Sequence, residues 1–203
     1  MTDDATIYVV DDDAGIRSSL ESLLTSVGYS VRTFASVEAF SRTPIDASVA
    51  CLILDVRLKG RSGLELQREL ARSAPDVPII FITGHGDVPM SVAAMKAGAM
   101  EFLTKPFREQ DILDAVNAGL ERSRERRDQE QASTAFRERL GALSPREREV
   151  MELLATGLMN KQVAHQLGLS EVTVKVHRAQ VMQKLQARSF ADLVRMADRA
   201  ADL

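Results

Sequence analysis

From residue 7 to residue 107, short runs that suit β-strands alternate with stretches whose apolar residues recur at helical spacing. The strand candidates are IYVVD (7–11), SVRTFA (30–35), SVACLILD (48–55), PIIFIT (78–83) and EFLTK (101–105). Val49 to Leu54 and Ile79 to Ile82 are apolar throughout, as central strands buried on both faces require. Between the strands lie three helical patterns. One carries Ile16, Leu20, Leu23, Leu24 and Val27, and another Leu64, Leu66 and Leu70. The third carries Val92, Ala93, Met95, Lys96 and Ala97 and is closed by Gly98. Repeated βα units predict a parallel sheet covered by helices on both faces, with right-handed crossovers. In such sheets ligands collect at the carboxyl ends of the strands.

The pattern then changes. Ile112, Leu113, Val116 and Leu120 mark one more amphipathic helix over 108–120. The stretch 121–140 nearly loses apolar residues while gaining charges, and it has no Gly or Pro. It reads as a solvated helix or helical linker, with short coiled-coil pairing as the alternative. From 143 onward only helices are predicted. Ser144, Pro145 and Glu147 form a helix start with a capping box, and Gly157 ends that helix. Residues 160–168 form a short helix ended by Gly168. Ser170 caps a helix over 170–185. Ser189 caps the last, to about Ala200, with Asp192 at its third position.

Composition narrows the class. The chain has 203 residues, 45% hydrophobic and 27% charged, as expected of a soluble globular protein of one large or two ordinary domains. No apolar run is long enough to cross a bilayer, and the acidic start MTDDAT is no secretory signal. A single cysteine, Cys51, excludes an internal disulfide, and the expected location is the cytoplasm. Residues 1–120 carry 11 Lys+Arg against 17 Asp+Glu, whereas residues 140–203 carry 9 against 7. An acidic first part and a mildly basic last part point to different partners.

The chemistry gathers at the strand ends. Asp11, Asp12 and Asp13 follow the first strand, Asp55 ends the third, Thr83 the fourth and Lys105 the fifth. In a parallel sheet these positions share one edge. Carboxylates so close raise one another's pKa unless a cation is present, and Mg²⁺ with oxygen ligands suits them. Asp55, alone on its strand, can act as a nucleophile toward a phosphoryl donor. Mg²⁺ and Lys105 would neutralise the oxygens, and the Thr83 hydroxyl would donate to one. The bland alternative is that the aspartates merely cap the helix beginning near Ala14.

VVDDD, LILDVR, FITGHGD and FLTKPF together resemble the receiver domain of two-component response regulators over about residues 1–122. The resemblance implies a flavodoxin-like five-stranded α/β fold, with Asp55 as phosphoacceptor. It implies Asp12 as the direct metal carboxylate, Asp11 acting mostly through water, and the Arg57 backbone carbonyl as a further ligand. Thr83 and Phe102 would form the switch pair, Lys105 would pair with the phosphate, and Lys105–Pro106 would be cis. Asp13 would cap the helix. The family usually shows Met-Pro shortly after the phosphoacceptor, where this chain has Leu58-Lys59; LKGRSG (58–63) is more basic than usual. Gly84 leaves the site unshielded by a side chain.

The spacing of NKQVAHQLGLSEVTVKVHRAQVMQKL (160–185) fits a helix-turn-helix: Ala164 allows close approach, Gly168 makes the turn, and Val174 packs the helices together. Val174, Val181 and Leu185 fall on an inward face, and Val172, Lys175, Val176, Ala179 and Gln183 on the opposite one. Small apolar and cationic residues suit a major groove. Lys175 would read guanine or touch phosphate, and Val176 and Ala179 would meet thymine methyls. Asn160, Lys161, Thr173, His177 and Lys184 are candidates for phosphate contacts. Residues 143–197 resemble the LuxR/FixJ-type DNA-binding domain, which implies four helices and a last helix that often mediates dimer contacts. His165 reads as a helix-surface residue, His85 as a loop residue near the acid site, and the methionines as core filling.

The combined expectation is α/β plus all-α. It has a receiver over 1–122, a charged helical linker over 123–140 and a four-helix DNA-binding domain over 141–203. A sensor histidine kinase would supply the phosphoryl group. Phosphorylation would release an inhibitory contact and promote a homodimer on double-stranded promoter DNA, with RNA polymerase as a further candidate partner. Two rivals stand beside this reading. One is a phosphorylation-independent DNA-binding regulator, motivated by the altered LKG loop. The other is a phosphohydrolase using Asp55, disfavoured because Arg57 stands where a general acid would be needed.

Overall fold

The computed structural model describes residues 5–45, 49–74, 77–84 and 88–201. His85 therefore lies outside the described residues. The chain divides into two compact units, 1–128 and 129–203.

The first unit is built on five parallel strands: β1 (Thr6–Val10), β2 (Ser30–Phe34), β3 (Ala50–Asp55), β4 (Ile79–Thr83) and β5 (Glu101–Thr104), in the order β2-β1-β3-β4-β5. The connecting helices are α1 (Ala14–Ser26), α2 (Val37–Ser41), α3 (Gly63–Ser73) and α4 (Val88–Lys96); α5 (Glu109–Gly141) follows β5. This is the doubly wound, flavodoxin-like order expected from the βα pattern. Side chains alternate along a strand, so each central strand feeds two cores. Ile7, Val9, Cys51, Ile53, Ile80 and Ile82 pack with Leu20 and Leu24 of α1 and with Ile112, Val116 and Leu120 of α5. Tyr8, Val10, Leu52, Leu54 and Phe81 pack with Val37 and Phe40 of α2, Leu66 and Leu70 of α3 and Ala94 of α4. β3 and β4 are buried at every residue, which is why they read as unbroken apolar runs. Burial pushes the Cys51 thiol up to about 12, so it is an inert core group.

The predicted strand limits hold to within a residue or two. One helix was missed: α2 is only five residues long, capped by Ser36, and too short to show a period. The charged stretch 121–140 belongs to one continuous helix, α5. Among the described residues, no helix is long and apolar enough to cross a membrane. Not every methionine fills a core. Met151 is buried, but Met95 is 45% and Met159 69% exposed. Met95 shares an outward stripe of α4 with Val92 and Val88, one and two turns before it.

The second unit contains α6 (Pro145–Ala155), α7 (Asn160–Leu167), α8 (Glu171–Leu185) and α9 (Phe190–Ala201). Its core joins Val150 and Leu154, Val163 and Ala164, Val174, Val181 and Leu185, and Leu193 and Ala197, with Phe136 and Leu140 of α5. Gly168 closes α7 with φ +65°, a left-handed conformation that glycine adopts at little cost. Ser170 accepts from the Thr173 N–H to start α8. Ser189 accepts from the Asp192 N–H to start α9, and Asp192 accepts from the Arg188 N–H in return.

α6 begins with the expected capping box. The Glu147 N–H donates to Ser144 Oγ at 3.2 Å, and the Ser144 N–H donates to Glu147 Oε2 at 2.7 Å. The Glu147 carboxylate is buried yet charged, because Lys184 Nζ donates to it at 2.6 Å. The Lys184 hydrogen bond, then that from the Ser144 N–H, hold Glu147 below its ordinary pKa of 4.5. A carboxylate depressed on folding stabilises the fold above its unfolded pKa, and that stability is lost as pH falls through the folded pKa. Glu147→Gln is therefore expected to reduce amide-exchange protection of α6 roughly tenfold at neutral pH. The difference from wild type should vanish in acid, where wild-type Glu147 is also protonated; mass-resolved hydrogen exchange across pH checks this.

Candidate functional site

The parallel sheet brings the carboxyl ends of β1, β3, β4 and β5 to one edge. Asp11, directly after β1, is fully buried and donates its own N–H to Phe34 O of β2. Asp55 ends β3, Thr83 ends β4 and is fully buried, and Lys105 follows β5. Lys105 N–H donates to Thr83 O at 2.7 Å, which fixes the lysine beside β4. The Lys105–Pro106 peptide is cis, as the family resemblance implied.

Lys105 Nζ lies 2.5 Å from Asp11 Oδ2 and 2.9 Å from Asp55 Oδ2. The other oxygens of these acids are held by main chain: Asp13 N–H donates to Asp11 Oδ1 at 2.8 Å and Arg57 N–H to Asp55 Oδ1 at 3.0 Å. Asp12 is partly exposed, and its Oδ2 lies 3.3 Å from Lys59 Nζ. One carboxylate oxygen from each of Asp11, Asp12 and Asp55 falls within 4.8 Å of the others, a spacing one metal ion can bridge. Burial pushes the Asp11 carboxyl above its ordinary pKa, although the Lys105 and Asp13 hydrogen bonds pull it back. Burial also opposes the charge on Lys105, but its hydrogen bonds to Asp11 and Asp55 outweigh this and hold its pKa high. The pocket thus keeps an ammonium and still has more carboxylates than cations. Asp13 does not join the trio. Its Oδ1 accepts from Gly15 and Ile16 N–H at 2.7 and 3.2 Å, capping α1, and these bonds lower its pKa.

Phe102, in β5, is partly buried, with its ring centroid 6.3 Å from that of Phe81. The Arg57 side chain is exposed. One contributor escaped the sequence reading. A Cβ on Gly63 would lie 2.3 Å from Asp55 O and 3.1 Å from Leu54 Cγ. Only glycine lets the start of α3 approach the end of β3 this closely, and Gly63 N–H donates to Val56 O at 3.0 Å. The signal in sequence is SG ahead of a helical pattern, eight residues after Asp55, which does not reveal what the glycine faces.

In the helical unit Val174, Val181 and Leu185 are buried, while Val172, Lys175, Val176, Ala179 and Gln183 are exposed on α8, as the wheel predicted. Lys175 is free of the core and pairs with Glu171 at 3.1 Å. Lys161 is exposed at the start of α7. Asn160 Oδ1 accepts from Arg178 Nη1 at 3.4 Å, and Arg178 stacks over Phe190, tying α7, α8 and α9 together. The Thr173 hydroxyl lies 2.8 Å from Ser170 Oγ. His177 is half-buried, with Nδ1 turned inward, and His165 is exposed. Lys184 does not share the exposed face. Its ammonium is committed to Glu147 and to Ala142 O.

Residues 7–117 match the family described as response regulator receiver domain, and residues 141–197 the family described as bacterial regulatory proteins, luxR family. The chain belongs to the response regulators, and it joins a receiver domain to a LuxR-type helix-turn-helix domain. It is 53% identical over 194 residues to nodulation protein W of Bradyrhizobium diazoefficiens, covering 96% of this chain and 86% of that one. It is 46% identical over 197 residues to the transcriptional regulatory protein FixJ of Azorhizobium caulinodans, covering 97% and 93%. Among solved structures it superposes on the response regulator StyR with a TM-score of 0.89 at 47% identity, covering 97% and 99%. The chain is thus a DNA-binding transcriptional regulator of the two-component class, whose receiver implies a histidine kinase partner.

Gly63→Ala tests how tightly the acid edge is built. The added methyl must push α3 away from β3, which should cost about 1–3 kcal/mol. Urea unfolding followed by circular dichroism, wild type against variant, reads the loss.

Proposed function

We propose that Asp55 accepts a phosphoryl group from phosphohistidine on a sensor kinase, and that the resulting acyl phosphate promotes a homodimer that binds promoter DNA. An Asp55 oxygen attacks phosphorus, the P–N bond breaks, and the imidazole leaves. The observation that carries this reading is the single ammonium of Lys105, set between Asp11 and Asp55 and beside the Thr83 strand end. Asp11, Asp12, Asp55 and the Arg57 carbonyl would hold Mg²⁺, and the ion supplies charge neutralisation for the transferred oxygens. Lys105 leaves Asp11 for a phosphoryl oxygen. The Thr83 hydroxyl donates to another, and Phe102 turns inward to follow it. The face of α4, β5 and α5 changes with them.

Supporting the dimer step is the apolar stripe of α4: Val88, Val92 and Met95 are 74%, 43% and 45% exposed. A shift of a few kcal/mol between two states suffices for such a switch. In the proposed assignment the receiver spans 1–122, the linker 123–140 and the DNA-binding domain 141–203. The protein works in the cytoplasm, with RNA polymerase as a candidate contact at the promoter. It is a switch rather than an enzyme: Arg57 supplies no general acid for repeated turnover.

On DNA, α8 enters the major groove through Val172, Lys175, Val176 and Ala179. Asn160, Lys161, Thr173 and His177 lie toward phosphates, and Lys184 positions the domain through its bond to Glu147.

Solution mass with Mg²⁺, before and after beryllofluoride, should shift from monomer toward dimer in wild type and stay unchanged in Asp55→Asn. Val92→Asp should still take up a phosphoryl group yet remain monomeric. An unchanged mass in wild type would move the assignment to a phosphate-independent regulator.

Lys175→Ala, assayed on a duplex selected by the wild-type protein from random sequence, should bind more weakly. If Lys175 contacts phosphate, the salt slope of log affinity should fall by about 1; if it reads guanine, preference at one base should relax instead.

A further inference from the structure

Asp12 is the most exposed acid of the trio, and its counter-cation differs from that of the other two. Asp11 and Asp55 share Lys105, whereas Asp12 pairs with Lys59 from the loop after β3. The Lys59 side chain is 88% exposed and that of Asp12 23% exposed, so no burial holds the ammonium where it lies; the charge of Asp12 does. The main chain brings it there. Leu58, just before it, packs against the core of Leu52, Leu54 and Leu66. Gly60, just after it, turns the chain with φ +93°. Lys59 is thus the tip of a loop anchored on one side and bent on the other. The neighbouring cation Arg61 is taken elsewhere, with Nη2 2.8 Å from Glu69 Oε2.

We propose that Lys59 is a built-in competitor of the divalent cation: it neutralises Asp12 in the metal-free state and weakens metal binding at the trio. The inference rests on the metal-site reading above and concerns the affinity of that site. An exposed pair of this kind is weak, so a divalent ion displaces it readily. The displaced ammonium stays tethered a few ångströms away, and its repulsion lowers the ion's affinity. Such repulsion between exposed charges is screened by salt.

The test is Mg²⁺ titration by calorimetry on the full-length, unphosphorylated protein, with Mn²⁺ paramagnetic resonance as a second readout. Lys59→Gln should bind Mg²⁺ on the order of three- to tenfold more tightly than wild type at low salt, with the gain shrinking as salt rises. Lys59→Arg should restore wild-type affinity. Arg61→Gln, which removes the same charge from the same loop but from a different ion pair, should leave affinity near wild type. An unchanged Kd in Lys59→Gln, or an equal gain in Arg61→Gln, would overturn the proposal. If wild type and Lys59→Gln both fail to bind Mg²⁺ or Mn²⁺, the metal-site reading itself falls and this inference with it. Wild-type binding without a Lys59 effect sinks the inference alone.

Discussion

One ammonium shared by two buried carboxylates organises the receiver unit. Lys105 reaches Asp11 and Asp55 from a strand two places away from β3 in the sheet, and its own N–H is fixed to the end of β4. Charges placed in a low-dielectric edge are tolerable only when paired and hydrogen-bonded. The fold meets that demand with main-chain N–H groups of Asp13 and Arg57 on the remaining oxygens. The strand ends must therefore be registered to fractions of an ångström. The two-sided apolar cores beneath them supply that rigidity.

The same arrangement stops short of full neutralisation. Burial still pushes Asp11 upward in pKa, and Asp12 pairs with an exposed lysine. A site satisfied by its own residues would have no reason to respond to an ion or a phosphoryl group. In the proposed function this residual excess of carboxylate is what draws a divalent cation. In the proposed switch Lys105 is then the group with two places to go: its present acids, or the oxygens of a group attached to Asp55.

Much of this was legible in the chain because it follows from period and position. Alternating βα runs gave the sheet, and a parallel sheet places Asp11, Asp55, Thr83 and Lys105 on one edge without further information. The inward and outward faces of α8 followed from a helical wheel for the same reason. What escaped reading depends on three-dimensional proximity. Gly63 matters because Asp55 O occupies the space of its missing methyl. Lys184 looked like a phosphate ligand, since sequence does not show that the carboxylate of Glu147, 37 residues earlier, lies 2.6 Å away. α2 gives five residues to a signal that needs two turns or more. Met95 has the composition of a core residue and the placement of a surface one.

The two units treat buried charge in opposite ways, and the difference matches their tasks. In the helical unit, Glu147 receives the Ser144 N–H and the Lys184 ammonium, and its pKa is driven down. That carboxylate is satisfied within the fold and locks the start of α6 to the end of α8, so the exposed face of α8 is carried on a fixed frame. In the sheet unit, Asp11 is driven up and the trio remains short of cations. A reader of DNA gains from a frame that does not move when the ionic surroundings change. A receiver gains from the reverse, because only an incompletely satisfied site converts the arrival of charge into a change of structure.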